Sequence, residues 1–254
     1  MCPILKIMFD PFTIFAISVT FVIAGGVKGT IGLGLPSVSL GLLAATLDLP
    51  TAMALMIAPS FFTNLHQATV GGYAGLILQR IWLFLLIATA TVWLGATALT
   101  RVDLDVLTAL LGFLLVAYGG LNIVGIRLTI PAYSEGWTGL LFGAANGILT
   151  GMTGSFAVPG VMYLQGIGLS RDMLVQAMGM LFTASTVALA FALGINSLLS
   201  AELGIASLLA VVPSLIGMWA GQNLRRRLSE AQFRSALFIG IILLGIYILI
   251  AAAV

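Results

Sequence analysis

One lysine of this chain lies inside a glycine-rich run, where its charge and the bare backbone can act together. The run reads Gly25-Gly26-Val27-Lys28-Gly29-Thr30-Ile31-Gly32-Leu33-Gly34-Leu35-Pro36. Lys28 stands about 17 residues inside an apolar segment, a depth at which a charge is costly unless it has a task or a partner. An ammonium group beside accessible backbone N–H groups is suited to hold an anion. The run therefore predicts an anion site, with snorkelling of Lys28 to an interface as the alternative.

A second run with the same glycine spacing begins at Gly147. It continues with Gly151, Gly154 and Pro159, so the glycines repeat the first pattern and the proline comes one residue later. Thr150 occupies the position of Lys28, and we therefore expect no symmetric charge. Glycine followed by proline near the first turn of a helix predicts that each run interrupts one helix and starts another.

The residues that we expect around an anion come from these two runs and from one helix that follows the second. They are Lys28, Gly29, Thr30, Gly32, Gly34, Thr150, Gly151, Thr153, Gly154, Ser155 and Gln176. Each run also contains two glycines four residues apart, a pattern that allows two membrane helices to pack closely. A hydrogen bond between helices explains Gln176 equally well. We expect no catalytic residue, metal or cofactor, because the sequence contains no metal-binding pair such as His-Glu-x-x-His.

The composition places these residues in an integral membrane protein. Of 254 residues, 61% are hydrophobic and 7% are charged, whereas a soluble domain has roughly 25% charged residues. Apolar stretches long enough to span a bilayer as helices recur along the chain. The fold class predicted is all-α, and the lipid bilayer is an expected partner. The net charge is only +2 and the basic residues are scattered or in one short loop, so we expect no nucleic-acid partner.

Eight apolar segments form two sets of four, which indicates an internal repeat. They cover about 11–47, 51–71, 80–100, 104–126, 137–165, 171–195, 202–224 and 231–253. Besides the glycine runs, Leu49–Met53 aligns with Leu169–Met173, and Gly95 aligns with Gly221. We therefore predict a first transmembrane repeat at residues 1–127, a linker at 128–136 and a second repeat at 137–254, a plan common among secondary transporters.

Arm lengths favour a re-entrant hairpin over a broken span at each glycine run. The first run separates Phe12–Ala24 from Leu35–Leu47, arms of about 20 Å each at 1.5 Å per residue. The second separates Trp137–Asn146 from Ala157–Gln165, arms of about 15 Å. None of these arms alone reaches across a hydrocarbon core of about 30 Å, so each pair is either one broken span or a hairpin that enters and returns. The shorter arms of the second run favour the hairpin.

The distribution of basic residues also favours the hairpins. With Lys28 set aside, hairpins place seven basic residues on one side, namely Arg80, Arg127, Arg171, Arg225, Arg226, Arg227 and Arg234, against Lys6 and Arg101. Broken spans give six against three. The positive-inside rule then assigns the basic side to the cytoplasm. Each half crosses the membrane three times, so the two halves are expected to be inverted relative to each other.

The two glycine runs, together with the length and the number of segments, resemble those of the TauE/SafE family of sulfite and organosulfonate permeases. The resemblance covers nearly the whole chain. It implies a multi-pass protein of the cytoplasmic membrane that transports sulfite or an organic sulfonate. Helix starts beside Lys28 suit such an anion, which has three oxygens to satisfy.

The predicted function is therefore secondary transport of a small organosulfur anion. A passive anion channel with the same pocket is one alternative. The other is an intramembrane serine hydrolase with Ser155 as nucleophile and His66 as base, although no acidic residue lies deep in an apolar segment. Direction of transport, coupling ion and oligomeric state stay open at this stage.

Overall fold

Helices make up most of the chain in the computed structural model, which describes residues 10–125, 128–225 and 230–253. In chain order they are α1 Pro11–Ile31, α2 Leu35–Ala44, α3 Leu49–Thr69, α4 Ala74–Ala90, α5 Val92–Ala96, α6 Leu104–Val124, α7 Glu135–Thr153, α8 Gly160–Gly166, α9 Arg171–Ile195, α10 Ala201–Leu209, α11 Val211–Arg225 and α12 Glu230–Ala251. Short 3₁₀ turns follow α5 and precede α7. Within the described residues, six helical stretches are long and apolar enough to cross a membrane, so the predicted class of all-α integral membrane protein is confirmed.

The first helix begins and ends at residues that satisfy its free backbone groups. The Asp10 carboxylate accepts the N–H of Phe12 at 3.1 Å, and Pro11 occupies the first turn, where its missing N–H costs nothing. At the other end, Gly32 adopts a left-handed φ of 86° and donates its N–H to the Lys28 carbonyl. The predicted end at Ala24 is therefore wrong, and α1 continues through most of the glycine run.

The glycines inside α1 serve a close helix crossing. A Cβ atom on Gly25 would overlap the carbonyl oxygen of Ser214, and one on Gly29 would overlap that of Met218. The backbones of α1 and α11 thus touch without side chains between them. In lipid, where burial of apolar surface gives no advantage, such small-residue contacts are a main source of helix association.

An equivalent crossing joins α7 to α4 and α5. A Cβ on Gly147 would overlap the Ala88 carbonyl, and one on Gly151 would overlap the Val92 carbonyl. The reverse contacts also correspond, because Gly221 lies against the Gly26 carbonyl and Gly95 lies against the Ile148 carbonyl. Every one of these contacts in one half has a counterpart at the aligned position of the other half.

The chain reverses direction between α1 and α3. Midway along α3, the N–H of Ala58 donates to Ser207 Oγ of α10 at 2.9 Å. Six residues later on α3, Asn64 accepts a hydrogen bond from Lys28 of α1. Lys28 precedes Gly29, which contacts Met218 of α11. Both α1 and α3 therefore run from α10 toward the end of α11, and α2 is the returning segment between them.

A second reversal follows α7. The N–H of Gly160 donates to the Asn146 side chain at 2.9 Å, and the Tyr163 hydroxyl donates to the Glu135 carbonyl at 3.1 Å. The N–H of Ile130 then donates to the Gly166 carbonyl at 2.9 Å. The end of α8 is therefore back beside the start of α7.

The first arms of these reversals are longer than the sequence predicted. With 21 and 19 residues, α1 and α7 extend about 31 Å and 28 Å. The predicted arms of about 20 Å and 15 Å are wrong, because the helices run on through the glycines that form the crossings. The return is made by the much shorter α2 and α8, of 10 and seven residues.

Helices at equivalent positions of the two halves pair with each other in opposite directions. A Cβ on Gly112 of α6 would lie 2.8 Å from the Gly245 carbonyl oxygen of α12, and one on Gly119 would lie 2.9 Å from that of Phe238. Likewise, Gln67 near the end of α3 donates to the Val175 carbonyl near the start of α9 at 2.8 Å. Antiparallel pairing of equivalent helices is the arrangement that a two-fold axis between the halves produces.

A partly exposed ion pair lies at the end of the molecule where the second reversal closes. Arg80 of α4 donates from Nε and Nη2 to the two carboxylate oxygens of Glu135 of α7, at 2.9 and 2.6 Å, and Nη2 also donates to the Ile167 carbonyl at 2.7 Å. This bidentate geometry holds the starts of α4 and α7 and the end of α8 together. Of the other basic residues counted in the sequence, Lys6, Arg127, Arg226 and Arg227 lie outside the described residues.

The glycine crossing predicts opposite responses at two neighbouring positions. Gly25→Ala should destabilise the protein by about 1–3 kcal/mol, since the added methyl overlaps a backbone carbonyl that cannot move aside easily. Gly26→Ala should be neutral or slightly stabilising, because its Cβ would lie 3.7 Å from the nearest atom, the Gly217 carbonyl oxygen. Thermal unfolding of the two variants in detergent measures the difference; equal midpoints would contradict the crossing.

Candidate functional site

The first break, residues 32–34, joins α1 to α2 through two glycines in left-handed conformations. Gly32 has φ 86° and Gly34 has φ 103°, values that other residues adopt only with strain. A Cβ on Gly32 would meet no atom within 4 Å. The backbone at this point therefore borders open space.

The second break, residues 154–159, is held by its own polar side chains. The Thr150 hydroxyl donates to the Ser155 carbonyl at 3.1 Å, and the Ser155 N–H donates to the Thr153 hydroxyl at 3.2 Å. All three residues are buried. These hydroxyls fix the path of the chain after Gly154, whose φ is 73°.

The glycine turns of the two breaks lie at different levels of the molecule. A Cβ on Gly154 would lie 2.9 Å from Met53, near the start of α3, whereas Lys28 contacts Asn64 further along that helix. Eleven residues of helix separate Met53 from Asn64, or about 16 Å. That the two helix starts point at one shared site stays a prediction.

A cavity of about 680 Å³ nevertheless touches both breaks. It is bordered by Ile31 and Leu33 on either side of Gly32, and by Ala157 and Val158 of the second break. The remaining wall comes from the ends of α6 and α8 and from the first turns of α9 and α12. The cavity therefore lies at the end of the molecule where α9 begins and α6 ends.

Two arginines border this cavity. Arg171 is the first residue of α9, and Arg234 lies in α12. The Arg234 guanidinium donates to Asn122 Oδ1 at 3.2 Å, and its central carbon lies 5.5 Å from the ring centre of Phe238. Asn122 in turn donates to the Tyr118 carbonyl at 2.8 Å, which orients its oxygen toward the arginine.

From the sequence, these arginines are predicted only to mark the cytoplasmic side. Their role in the cavity depends on the convergence of α6, α9 and α12, which are far apart in the chain. Arg234 does stand inside an apolar segment, three residues past its start at 231. That placement is the one sequence signal that distinguishes it from the arginines of the preceding loop.

Lys28 lies behind the cavity wall. Its side chain is 5% exposed and donates to Asn64 Oδ1. Neither residue is among those that border the cavity in the described part of the chain. The next turn of α1 brings Ile31 to the wall, so Lys28 is one helical turn away from the open space.

The other predicted residues have structural partners. Gly29 and Gly151 form the helix crossings, and the Thr30 hydroxyl donates to the Val27 carbonyl at 2.8 Å within α1. Gln176 is 1% exposed; its amide accepts the N–H of Tyr73 at 3.0 Å and donates to the Ala68 carbonyl at 2.9 Å. Gln176 thus holds the connection between α3 and α4.

The structure does not support the serine hydrolase alternative. Gly154, next to Ser155, contacts Met53. Met53 is 13 residues, or about 20 Å, from His66 along α3, so Ser155 and His66 do not form a nucleophile–base pair.

A second cavity of about 530 Å³ lies between α3, α9 and α10 and is lined by apolar residues apart from Thr186. Without a charged or strongly polar wall, it does not suit an anion.

Comparison with known proteins identifies a family. Residues 17–248 match the family model described as sulfite exporter TauE/SafE, which is nearly the whole chain. Neither the curated proteins nor the solved structures gave a significant match.

Proposed function

The chain belongs to the sulfite exporter TauE/SafE family, a family of membrane transporters, and on that premise we propose that it is a secondary transporter for a small organosulfur oxyanion. The cargo is a sulfonate or sulfite, and the membrane is the cytoplasmic one. The observation that carries the proposal is the cavity that touches both helix breaks and is bordered by two arginines.

The chemistry of this wall fits an oxyanion. A guanidinium presents several N–H donors in one plane, which match the oxygens of a sulfonate or sulfite group. The contact with Asn122 and the Phe238 ring keeps the Arg234 guanidinium in place before an anion arrives. Apolar residues that also border the cavity, such as Val161 and Leu174, provide a surface for the organic part of a sulfonate.

The corresponding contacts in the two halves support an inverted repeat, with α1–α6 as one unit and α7–α12 as the other. The crossings of α1 with α11 and of α7 with α5 use aligned glycines, and the equivalent helices α3 and α9 pair antiparallel. Inverted repeats allow a carrier to exchange the conformations of its halves and so open to either side in turn.

The two ends of the molecule differ in how tightly they are packed, and this difference favours a carrier over a channel. Met162 and Val175 border the cavity, whereas the residues at the aligned positions, Ser39 and Leu55, are fully buried. The cavity is thus open at one end while its symmetric counterpart is packed shut. A passive channel conducts through a pore that is open at both ends at once.

The two chain reversals support re-entrant hairpins, with α1–α2 entering from one side and α7–α8 from the other. Arg80, Arg171 and Arg234 lie at the cavity end, and Arg101 follows α5 at the opposite end. The positive-inside rule places the cavity end in the cytoplasm. The open cavity is then a cytoplasm-facing one.

Reporter fusions test this topology. Fusions after Gly75 and after Tyr133 should both report the cytoplasm, because both positions lie at the end that carries Arg80 and Glu135. A fusion after Asp48 should report the outside, since α2 returns the chain to the side where α1 began. An external reporter after Gly75 would show that α1 and α2 form a broken span.

A charge-removing substitution tests the anion site. Arg234→Gln should weaken binding of a sulfonate about tenfold or more, the loss expected when one charge-assisted hydrogen bond is removed. Arg101→Gln removes a charge at the opposite end and should leave affinity unchanged. Binding to purified protein and uptake into proteoliposomes provide the two readouts, and equal affinities for both variants would place the site elsewhere.

A further inference from the structure

The buried pair of Lys28 and Asn64 has more hydrogen-bond donors than the protein supplies acceptors for. Lys28 is 5% exposed and Asn64 is fully buried. The ammonium has three donors, and the structure shows one of them on Asn64 Oδ1. In the described part of the chain, Asn64 Nδ2 has no hydrogen-bond partner at all. A buried donor without a partner is costly, and a buried charge beside one neutral amide is more so.

No carboxylate compensates this charge within the described residues. Their acidic residues stand at helix starts, as caps or in the first turn: Asp10, Asp48, Asp103, Asp105, Glu135, Asp172, Glu202 and Glu230. The ion pair found among them joins Glu135 to Arg80. On the α11 side, Lys28 is flanked by the glycine contacts with Ser214 and Met218, which bring neutral backbone. The surroundings therefore lack an anion.

From these observations we propose that Lys28 and Asn64 form an occluded subsite for one monoanionic oxyanion. The inference rests on the proposed transport function and names the residues and the charge class of that cargo. One oxygen of the anion accepts from the Lys28 ammonium, and a second accepts from Asn64 Nδ2. Together these bonds give a partner to Asn64 Nδ2 and to a second donor of the Lys28 ammonium.

The subsite lies one layer of side chains from the cavity. Ile31, one turn after Lys28, borders the cavity on α1. Gln67, one turn after Asn64, donates to the carbonyl of Val175, which borders the cavity on α9. Open space beside Gly32 gives the end of α1 room to move. An anion held first by the arginines therefore reaches Lys28 when the Ile31 side chain turns aside.

A single ammonium sets the preferred charge of the cargo. Inside the membrane, a monoanion neutralises Lys28, whereas a dianion leaves an unpaired negative charge in a medium of low dielectric constant. The subsite therefore selects a sulfonate group, which carries one charge, over sulfate, which carries two. The two arginines that border the cavity are exposed, so they do not restrict the anion to a single charge.

The decisive variant is Asn64→Asp, which places a carboxylate where the free amide was. The new carboxylate pairs with Lys28 and supplies the missing negative charge, so the protein should fold with equal or higher thermal stability. Binding of radiolabelled methanesulfonate should fall about tenfold or more. Ser60→Ala is the matched control, because it removes another buried, unpartnered side chain one turn earlier on α3 and should leave binding unchanged.

Lys28→Met keeps the test decisive if Asn64→Asp does not fold, since it preserves chain length and removes the charge. It should also bind methanesulfonate about tenfold or more weakly. Wild-type affinity in either folded variant would overturn the subsite, as would sulfate competing as well as unlabelled methanesulfonate in the wild type. If the wild type itself shows no saturable binding or uptake of any sulfonate or sulfite, that result contradicts the proposed transport function and not the subsite alone.

Discussion

Backbone-to-backbone contact at glycines is the constraint on which the rest of this molecule depends. At the crossings of α1 with α11 and of α7 with α4 and α5, a single methyl group would overlap a carbonyl oxygen. In lipid these contacts replace the hydrophobic association that water provides for soluble helices. They fix how far α1 and α7 run before their glycine turns. The positions of both breaks, and hence of the cavity between them, follow from the crossings.

The two halves use corresponding positions differently, which explains why the site is not symmetric. Lys28 and Thr150 occupy aligned positions of the two glycine runs. In the second half, the Thr150 hydroxyl is used within the break, on the Ser155 carbonyl. In the first half, the lysine reaches across to α3 and meets Asn64. The second glycine run thus provides structural support and the first provides charge.

Much of the architecture could be predicted from the sequence, because the membrane imposes a simple length and polarity rule. The class, the family and the approximate helix segments followed from apolar runs and aligned glycines. The helix ends at Ala24 and Asn146 were wrong, since glycine in a membrane helix can mean close packing as well as interruption. The site was harder to predict. Arg234 and Asn122 meet only because α6 and α12 pair, and the partner of Lys28 lies 36 residues away on α3. Such contacts depend on tertiary packing that composition and spacing do not encode.

The central claim is that an organosulfur oxyanion occupies the cavity beside the first break. Leu33 borders that cavity next to Gly32, and Cys2 is the only native cysteine, so a Cys2→Ser, Leu33→Cys variant places one thiol at the site. Its modification by a membrane-impermeant maleimide, applied from the side that is proposed to be cytoplasmic, measures access to the cavity. The account predicts that methanesulfonate slows modification in a concentration-dependent manner, while chloride at equal ionic strength does not. Modification that methanesulfonate leaves unchanged would contradict it.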